Sequence, residues 1–395
     1  MKKGVLARLS LYLVYFAYGL TVTQLSPLVS EITVDFGLTD TQAGLINTMA
    51  YIGGIISIIL LLFLTKKIKK GWIFIVATAL FVVMMYVIGT TSTYFQLLVY
   101  ILLLGLGRMV IDSLANALIA DRYKENINAY TNFMHMSFSI GAFLAPILIG
   151  IIKSQKDMGW RSTYFLFAVI ATVIFALFLI FWRNTGISEN MRQKELNSAP
   201  ASQTLFKDKG FWLICIIVML YTLHQLGITY WTAAYFEQKD VPYVIASFSA
   251  SFLWVGIIIS RFVSAKFGSD SIALPWTAFG SLIGGILLIL AVALDLPYFM
   301  LVAYLITGFA TGSMIPMLIA RTNRRFPAFT GTSATVIVLF LTIGSGFAPL
   351  IMGGIADAAG MHTAMYMGGI PLLAIFIIAA AGFGKEILPQ KVNKE

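Results

Sequence analysis

Twelve apolar runs, most of them longer than twenty residues, recur along the chain and leave one class of fold open. A helix of about 20 apolar residues, rising 1.5 Å per residue, crosses the ~30 Å hydrocarbon core of a bilayer. A transmembrane barrel would instead show ~10-residue segments of alternating polarity. These runs are apolar on every side. Of the 395 residues, 59% are hydrophobic and 11% are charged, against roughly 25% charged in soluble domains. So much apolar surface does not fit inside one globular core. The fold class is therefore an all-α polytopic membrane protein, with helices predicted near 5–30, 41–64, 72–90, 95–120, 128–152, 162–182, 210–235, 241–265, 271–292, 297–321, 328–352 and 362–384. The first run opens after Met1-Lys2-Lys3-Gly4, has no small-residue cleavage site, and reads as a membrane helix rather than a signal peptide.

The net charge of +10 is a matter of topology. With the N-terminus in the cytoplasm, 22 Lys and Arg fall in cytoplasmic segments and 4 (Lys153, Lys156, Arg161, Lys239) on the other face; Arg108 remains. The positive-inside rule then puts both termini in the cytoplasm of a cell membrane. The acids divide evenly, so no basic patch for nucleic acid is needed. The lone Cys215 carries no redox or metal chemistry.

The most polar stretch, 183–209, contains Asn197-Ser-Ala-Pro-Ala-Ser202 and reads as a cytoplasmic linker. It separates an N-terminal six-helix bundle, 1–182, from a C-terminal one, 210–395. The halves repeat. Ile140-Gly-Ala-Phe-Leu-Ala-Pro146 with Gly150 matches Ile343-Gly-Ser-Gly-Phe-Ala-Pro349 with Gly353, and Leu118-Ile-Ala-Asp121 matches Leu318-Ile-Ala-Arg321. On the second match, Arg108 and Asp112 correspond to Gly308 and Gly312. Parallel repeats of this kind, related by a pseudo-two-fold axis, are one architecture that supports alternating access.

One acid and one Arg lie deep inside the runs, four residues apart on helix 4: Arg108 and Asp112. A charge at that depth costs at least ~2.5–3.5 kcal/mol on insertion scales, so it marks a functional site by default. Residues 108, 112 and 116 form one helical stripe. Asp112 is the expected proton-binding group. Arg108 either neutralises it or holds an anionic substrate with its planar fork. A permanent Arg108–Asp112 ion pair is the structural alternative. His135, at similar depth on helix 5, is expected to contact Asp112 as a relay. Asn116, His224, Gln225, Gln24, Tyr18, Tyr230, Trp231, Trp254 and Asn47 are candidate substrate contacts. Each could instead serve interhelical packing or the interfacial belt.

On these residues the chain resembles the major facilitator superfamily over nearly its whole length. The resemblance is carried by the repeat, by Gly159-Trp160-Arg161 at the start of helix 6, and by the six-plus-six layout. It implies two bundles rocking about a midplane cavity lined by helices 1, 4, 7 and 10. The loop between helices 2 and 3 departs from the superfamily's pattern. Thr65-Lys-Lys-Ile-Lys-Lys-Gly71 keeps basic residues and lacks the Asp and Arg, whereas Arg261 is kept after helix 8. Asp112-Ser-Leu-Ala-Asn116 and Tyr221-Thr-Leu-His-Gln-Leu-Gly227 are similar to stretches of fucose-permease-like proton–sugar symporters, although Gln225 stands where an acid often stands.

The expectation is a secondary transporter for a small polar solute, sugar-like, coupled to protons, with sodium as the other candidate ion. The alternatives are an organic-anion carrier using Arg108, a drug–proton antiporter, and a membrane-embedded enzyme or receptor. There is no phosphate loop for ATP, no metal-ligand spacing among His135, His224 and His362, and no nucleophile–base motif, so neither enzyme nor cofactor is expected. The expected partners are the lipid bilayer, a solute and an ion, with the chain acting as a monomer.

Overall fold

The computed structural model describes residues 2–122, 127–155, 158–181, 202–267 and 270–387. Twelve of its helices are long and apolar enough to cross a membrane. They are α1 (Lys2–Thr23), α2 (Asp40–Lys67), α3 (Lys70–Ile88), α4 (Tyr94–Arg122), α5 (Ile127–Gln155) and α6 (Trp160–Phe181), followed by α7 (Lys209–Glu237), α8 (Tyr243–Phe267), α9 (Asp270–Ala293), α10 (Pro297–Thr311, continued by Met314–Arg325), α11 (Thr330–Ala359) and α12 (Ile370–Ile387, led in by Met361–Met365). No strand occurs among the described residues. Phe63, Val76, Ile180, Phe262 and Ile377 lie outward and exposed, as expected of helices solvated by lipid.

Two compact units emerge: Met1–Leu196 with Tyr243–Phe248, and Asn197–Pro242 with Ser249–Glu395. In the first, α1 packs on α5 and α6, and α4 packs on α2 and α3. In the second, α7 packs on α11 and α12, and α9 packs on α10 and α12. Most of the linker expected at 183–209 lies outside the described residues. Its end forms a short helix, Ser202–Lys207, and Asp208 caps α7 by accepting from the Phe211 N–H at 2.8 Å.

The helix predicted near 5–30 is broken. α1 stops at Thr23, and the chain continues through Ser26–Leu28 into a short helix, Val29–Phe36. Pro27 explains the break, because a proline ring collides with the carbonyl four residues earlier and offers no N–H. Gly37 at φ 61° then ends the short helix in the left-handed conformation that glycine favours. Thr39 and Gln42 start α2 with a reciprocal capping box.

The glycines reveal the repeat in three dimensions. A Cβ on Gly105 would overlap the Ala50 carbonyl, and one on Gly53 the Leu102 carbonyl, so α2 and α4 cross backbone to backbone. In the second unit Gly308 meets Leu253 and Gly256 meets Leu305 in the same way. Gly141 against Phe16 is matched by Gly344 against Met219. Every one of these residues is matched by the residue 203 positions later (Gly105 to Gly308, Ala50 to Leu253, Phe16 to Met219).

This offset agrees with the Ile140–Ile343 alignment and corrects the other one. The expected equivalence of Arg108 and Asp112 with Gly308 and Gly312 is out of register by three. Their counterparts are Thr311 and Ile315.

Candidate functional site: a buried polar network on α4

Arg108 lies midway between the ends of α4. Asp112 and Asn116 follow at successive turns on the same face. The Tyr15 hydroxyl on α1 donates to Asp112 Oδ1. Asn116 Nδ2 donates to the Asp112 backbone carbonyl at 2.9 Å and reaches the Tyr15 oxygen at 3.4 Å. That orientation leaves Asn116 Oδ1 as the acceptor for His135 Nε2 on α5, at 3.2 Å. The His135 ring meets the Tyr15 ring edge-on, with centroids 5.3 Å apart. Three helices therefore contribute to one hydrogen-bonded network that contains a carboxylate.

Arg108 is 9% exposed, and its guanidinium carbon lies 5.5 Å from the centre of the Tyr18 ring. The permanent Arg108–Asp112 ion pair left open by the sequence is absent. Among the described residues no carboxylate lies within 4.0 Å of Arg108. The geometric reason is the phenol of Tyr15, which already engages the acid. His135, expected beside Asp112, hydrogen-bonds Asn116, on the same helix as Asp112. Asn47 is buried on α2. Gln24 sits at the break after α1, 1% exposed, with both amide atoms unpartnered.

The second unit treats the matching positions differently. At the 203-residue offset, Tyr15, Asp112, Asn116 and His135 become Val218, Ile315, Ile319 and Val338. The whole hydrogen-bonded network is replaced by aliphatic side chains.

Polar residues in this unit lie elsewhere on α7. His224 is fully buried, and its Nδ1 lies 2.5 Å from the Gly368 carbonyl. A carbonyl only accepts, so Nδ1 carries the proton. Nε2 then presents a lone pair and has no partner. Gln225 is 5% exposed, with no hydrogen-bond partner for its amide among the described residues.

Trp231 is buried and donates to the Pro349 carbonyl at 2.9 Å, which ties α7 to α11. Tyr230 stacks edge-on against it. Trp254 is buried on α8.

Several charged groups at the helix ends are paired. Glu31 binds Lys153 and caps α6 by accepting from the Trp160 N–H at 2.9 Å. Asp35 takes Arg161 at 2.7 Å and the Trp160 indole at 3.2 Å, and Arg161 also donates to the Thr91 carbonyl. In the second unit Lys239 and Tyr235 both bond Asp295, at 2.5 and 2.9 Å. The Lys239 bond, then that from Tyr235, holds the Asp295 carboxyl below the usual carboxylate range.

The sequence model of the Major Facilitator Superfamily matches residues 11–342. The chain belongs to that superfamily. An uncharacterised MFS-type transporter of Yersinia pestis is 20% identical to this superfamily member, over 96% of each chain. Among solved structures, a bacterial homologue of the human lysosomal transporter Spinster, inward-facing and unoccupied, superposes with a TM-score of 0.77. That match has 16% identity and covers 98% of this transporter and 99% of the other chain. A D-xylose–proton symporter matches with a TM-score of 0.73 and 16% identity, covering 95% and 96%. The protein is accordingly a multi-pass membrane transporter and not an enzyme.

Tyr15 was not among the site residues expected from the sequence. Its signal was the run Tyr12, Tyr15, Tyr18 at a spacing of three, which brings phenols to one face of a helix otherwise built of apolar residues.

Proposed function

We propose that the chain is a secondary transporter that moves a small polar solute by alternating access of its two bundles, coupled to protons through Asp112. The observation that carries this reading is the Tyr15–Asp112–Asn116–His135 network. It places a carboxylate, one phenol, one amide and one imidazole in hydrogen-bonded sequence within the first bundle. Among the described residues no Lys or Arg pairs with the acid, and its bonded partner is the Tyr15 phenol.

The one-sided distribution supports the same reading. A network needed only to hold helices together would serve both bundles, yet its four counterparts in the second are aliphatic. A D-xylose–proton symporter of the same fold, and a glucose/mannose transporter of Bacillus subtilis 20% identical over 63% of the chain, agree with a small polar solute. The 22-to-4 split of Lys and Arg supports an orientation with both termini in the cytoplasm.

The test is proton movement in liposomes that hold the purified protein and a trapped pH dye. External D-glucuronate, lactate, D-glucose or D-xylose is added in turn. A proton-coupled carrier acidifies the lumen with at least one of them and does so only when protein is present. Solute exchange with no accompanying pH change would contradict the coupling.

A further inference from the structure

Arg108 is the only Lys or Arg away from the helix ends among the described residues of the first unit. Arg8, Lys66, Lys67, Lys70, Lys153 and Arg161 all stand within a few residues of a span's end. Arg108 is buried at the midpoint of α4 with no carboxylate of the described residues within 4.0 Å, and Asp112, one turn along, is engaged by Tyr15. A guanidinium keeps its charge under all conditions and presents a planar fork of donors that fits an oxyanion with two coplanar oxygens.

We infer that Arg108 is the anchor for a carboxylate group on the transported solute, held against the Tyr18 ring. The assignment rests on the proposed reading of the chain as a proton-coupled carrier and names its class of substrate.

Charge matching favours a carboxylate over a phosphate. A phosphate monoester carries about −1.5 to −2 at neutral pH, and the mid-membrane region of this unit offers a single permanent cation. A monocarboxylate is balanced by that one guanidinium.

Asp112, one turn along α4, gives the site its coupling. The groups around it are Tyr15 and Tyr18 from α1, Arg108 and Asn116 from α4, and His135 from α5 through Asn116. Tyr164 on α6 lies within electrostatic range of Arg108. Arg108 is the only member of this set with a permanent positive charge. An ionised Asp112 repels a carboxylate seated on Arg108; a protonated one does not. Proton binding and anion binding therefore favour each other, and the solute and one proton enter the site as a neutral pair.

The experiment is a melting assay on the full-length protein in detergent at matched sodium chloride. It uses two pairs of probes that differ only in the acid: D-glucuronate against D-glucose, and lactate against propane-1,2-diol. A ligand that binds the folded state raises the melting temperature by mass action. The wild type should be stabilised by an acid and not by its neutral partner, with a larger shift at lower pH. Arg108→Lys should lose most of the shift and Arg108→Gln all of it, and Asp112→Asn should make it independent of pH. The ligand-free melt of each variant shows whether it has folded.

Stabilisation by neither acid, equal stabilisation by a neutral partner, or an undiminished shift in a folded Arg108→Gln protein overturns the assignment. If glucose or propane-1,2-diol drives proton entry into liposomes while the acids do not, the carrier reading stands and the carboxylate site falls. If an acid binds through Arg108 but moves no protons, the site stands and the coupling falls.

Discussion

The Tyr15 hydroxyl donates to the Asp112 carboxylate, so the acid of the first bundle is held by a phenol and not by the guanidinium one turn away on its own helix. Arg108 and Asp112 are thereby available for separate tasks. On the proposed reading, a proton comes and goes at Asp112 while a solute comes and goes at Arg108.

If that bond sets the behaviour of Asp112, Tyr15→Phe should fold and should alter the pH profile of solute-driven proton uptake. The ring contacts with His135 and Phe138 survive in the variant, and only the hydroxyl is lost. A profile identical to that of the wild type, measured with the trapped dye, would remove Tyr15 from the coupling.

Backbone contact between α2 and α4 makes a size prediction. Gly105→Ala forces a methyl into the Ala50 carbonyl and should cost about 1–3 kcal/mol through overpacking. Gly384→Ala meets nothing within 4 Å and should change stability by less than about 1 kcal/mol. Thermal melts of the two proteins check the contrast.

Asp295 stands outside the membrane spans, and its carboxyl is held below the usual range first by the Lys239 bond and then by that from Tyr235. A depressed carboxyl stabilises the fold above the unfolded-state value, about 3.9 for Asp, and loses that contribution as pH falls through the folded value. The melting-temperature gap between wild type and Asp295→Asn should be steady near neutral pH and should close below about pH 4. A gap unchanged in acid would show that the Lys239 pairing does not stabilise the fold.

The charge distribution predicts sidedness. The native Cys215 is buried, so labelling background is low. Asp295→Cys should react with an impermeant thiol reagent on intact cells, and Lys67→Cys only after permeabilisation. The reverse pattern would invert the topology.

The spans were legible in the sequence because hydrocarbon thickness imposes a length that composition alone reveals, and the six-plus-six division followed from the polar stretch before α7. The repeat was legible at Gly141 and Pro146 against Gly344 and Pro349, where rare residue types mark a close crossing. It was misaligned by three at Leu118 against Leu318, because apolar letters recur in any membrane helix and carry little register. Gly105 and Gly308 set the true register through backbone approach, which is a property of the packed pair and not of either helix alone. The break after Thr23 was implied by Pro27 but hidden by the apolar run around it. Arg108, Asp112, Asn116 and His135 stood out as costly residues in lipid. Tyr15 did not, since a phenol in an apolar helix looks like packing until an acid is found against it.

On the proposed reading Asp112 carries the coupling proton. The most direct measurement compares wild type and Asp112→Asn in proteoliposomes, using a labelled form of a solute that stabilises the purified protein. Under an inward proton gradient the wild type should accumulate the label, and the variant should only equilibrate it, while both exchange internal for external solute without a gradient. Accumulation by Asp112→Asn at the wild-type level would contradict the account.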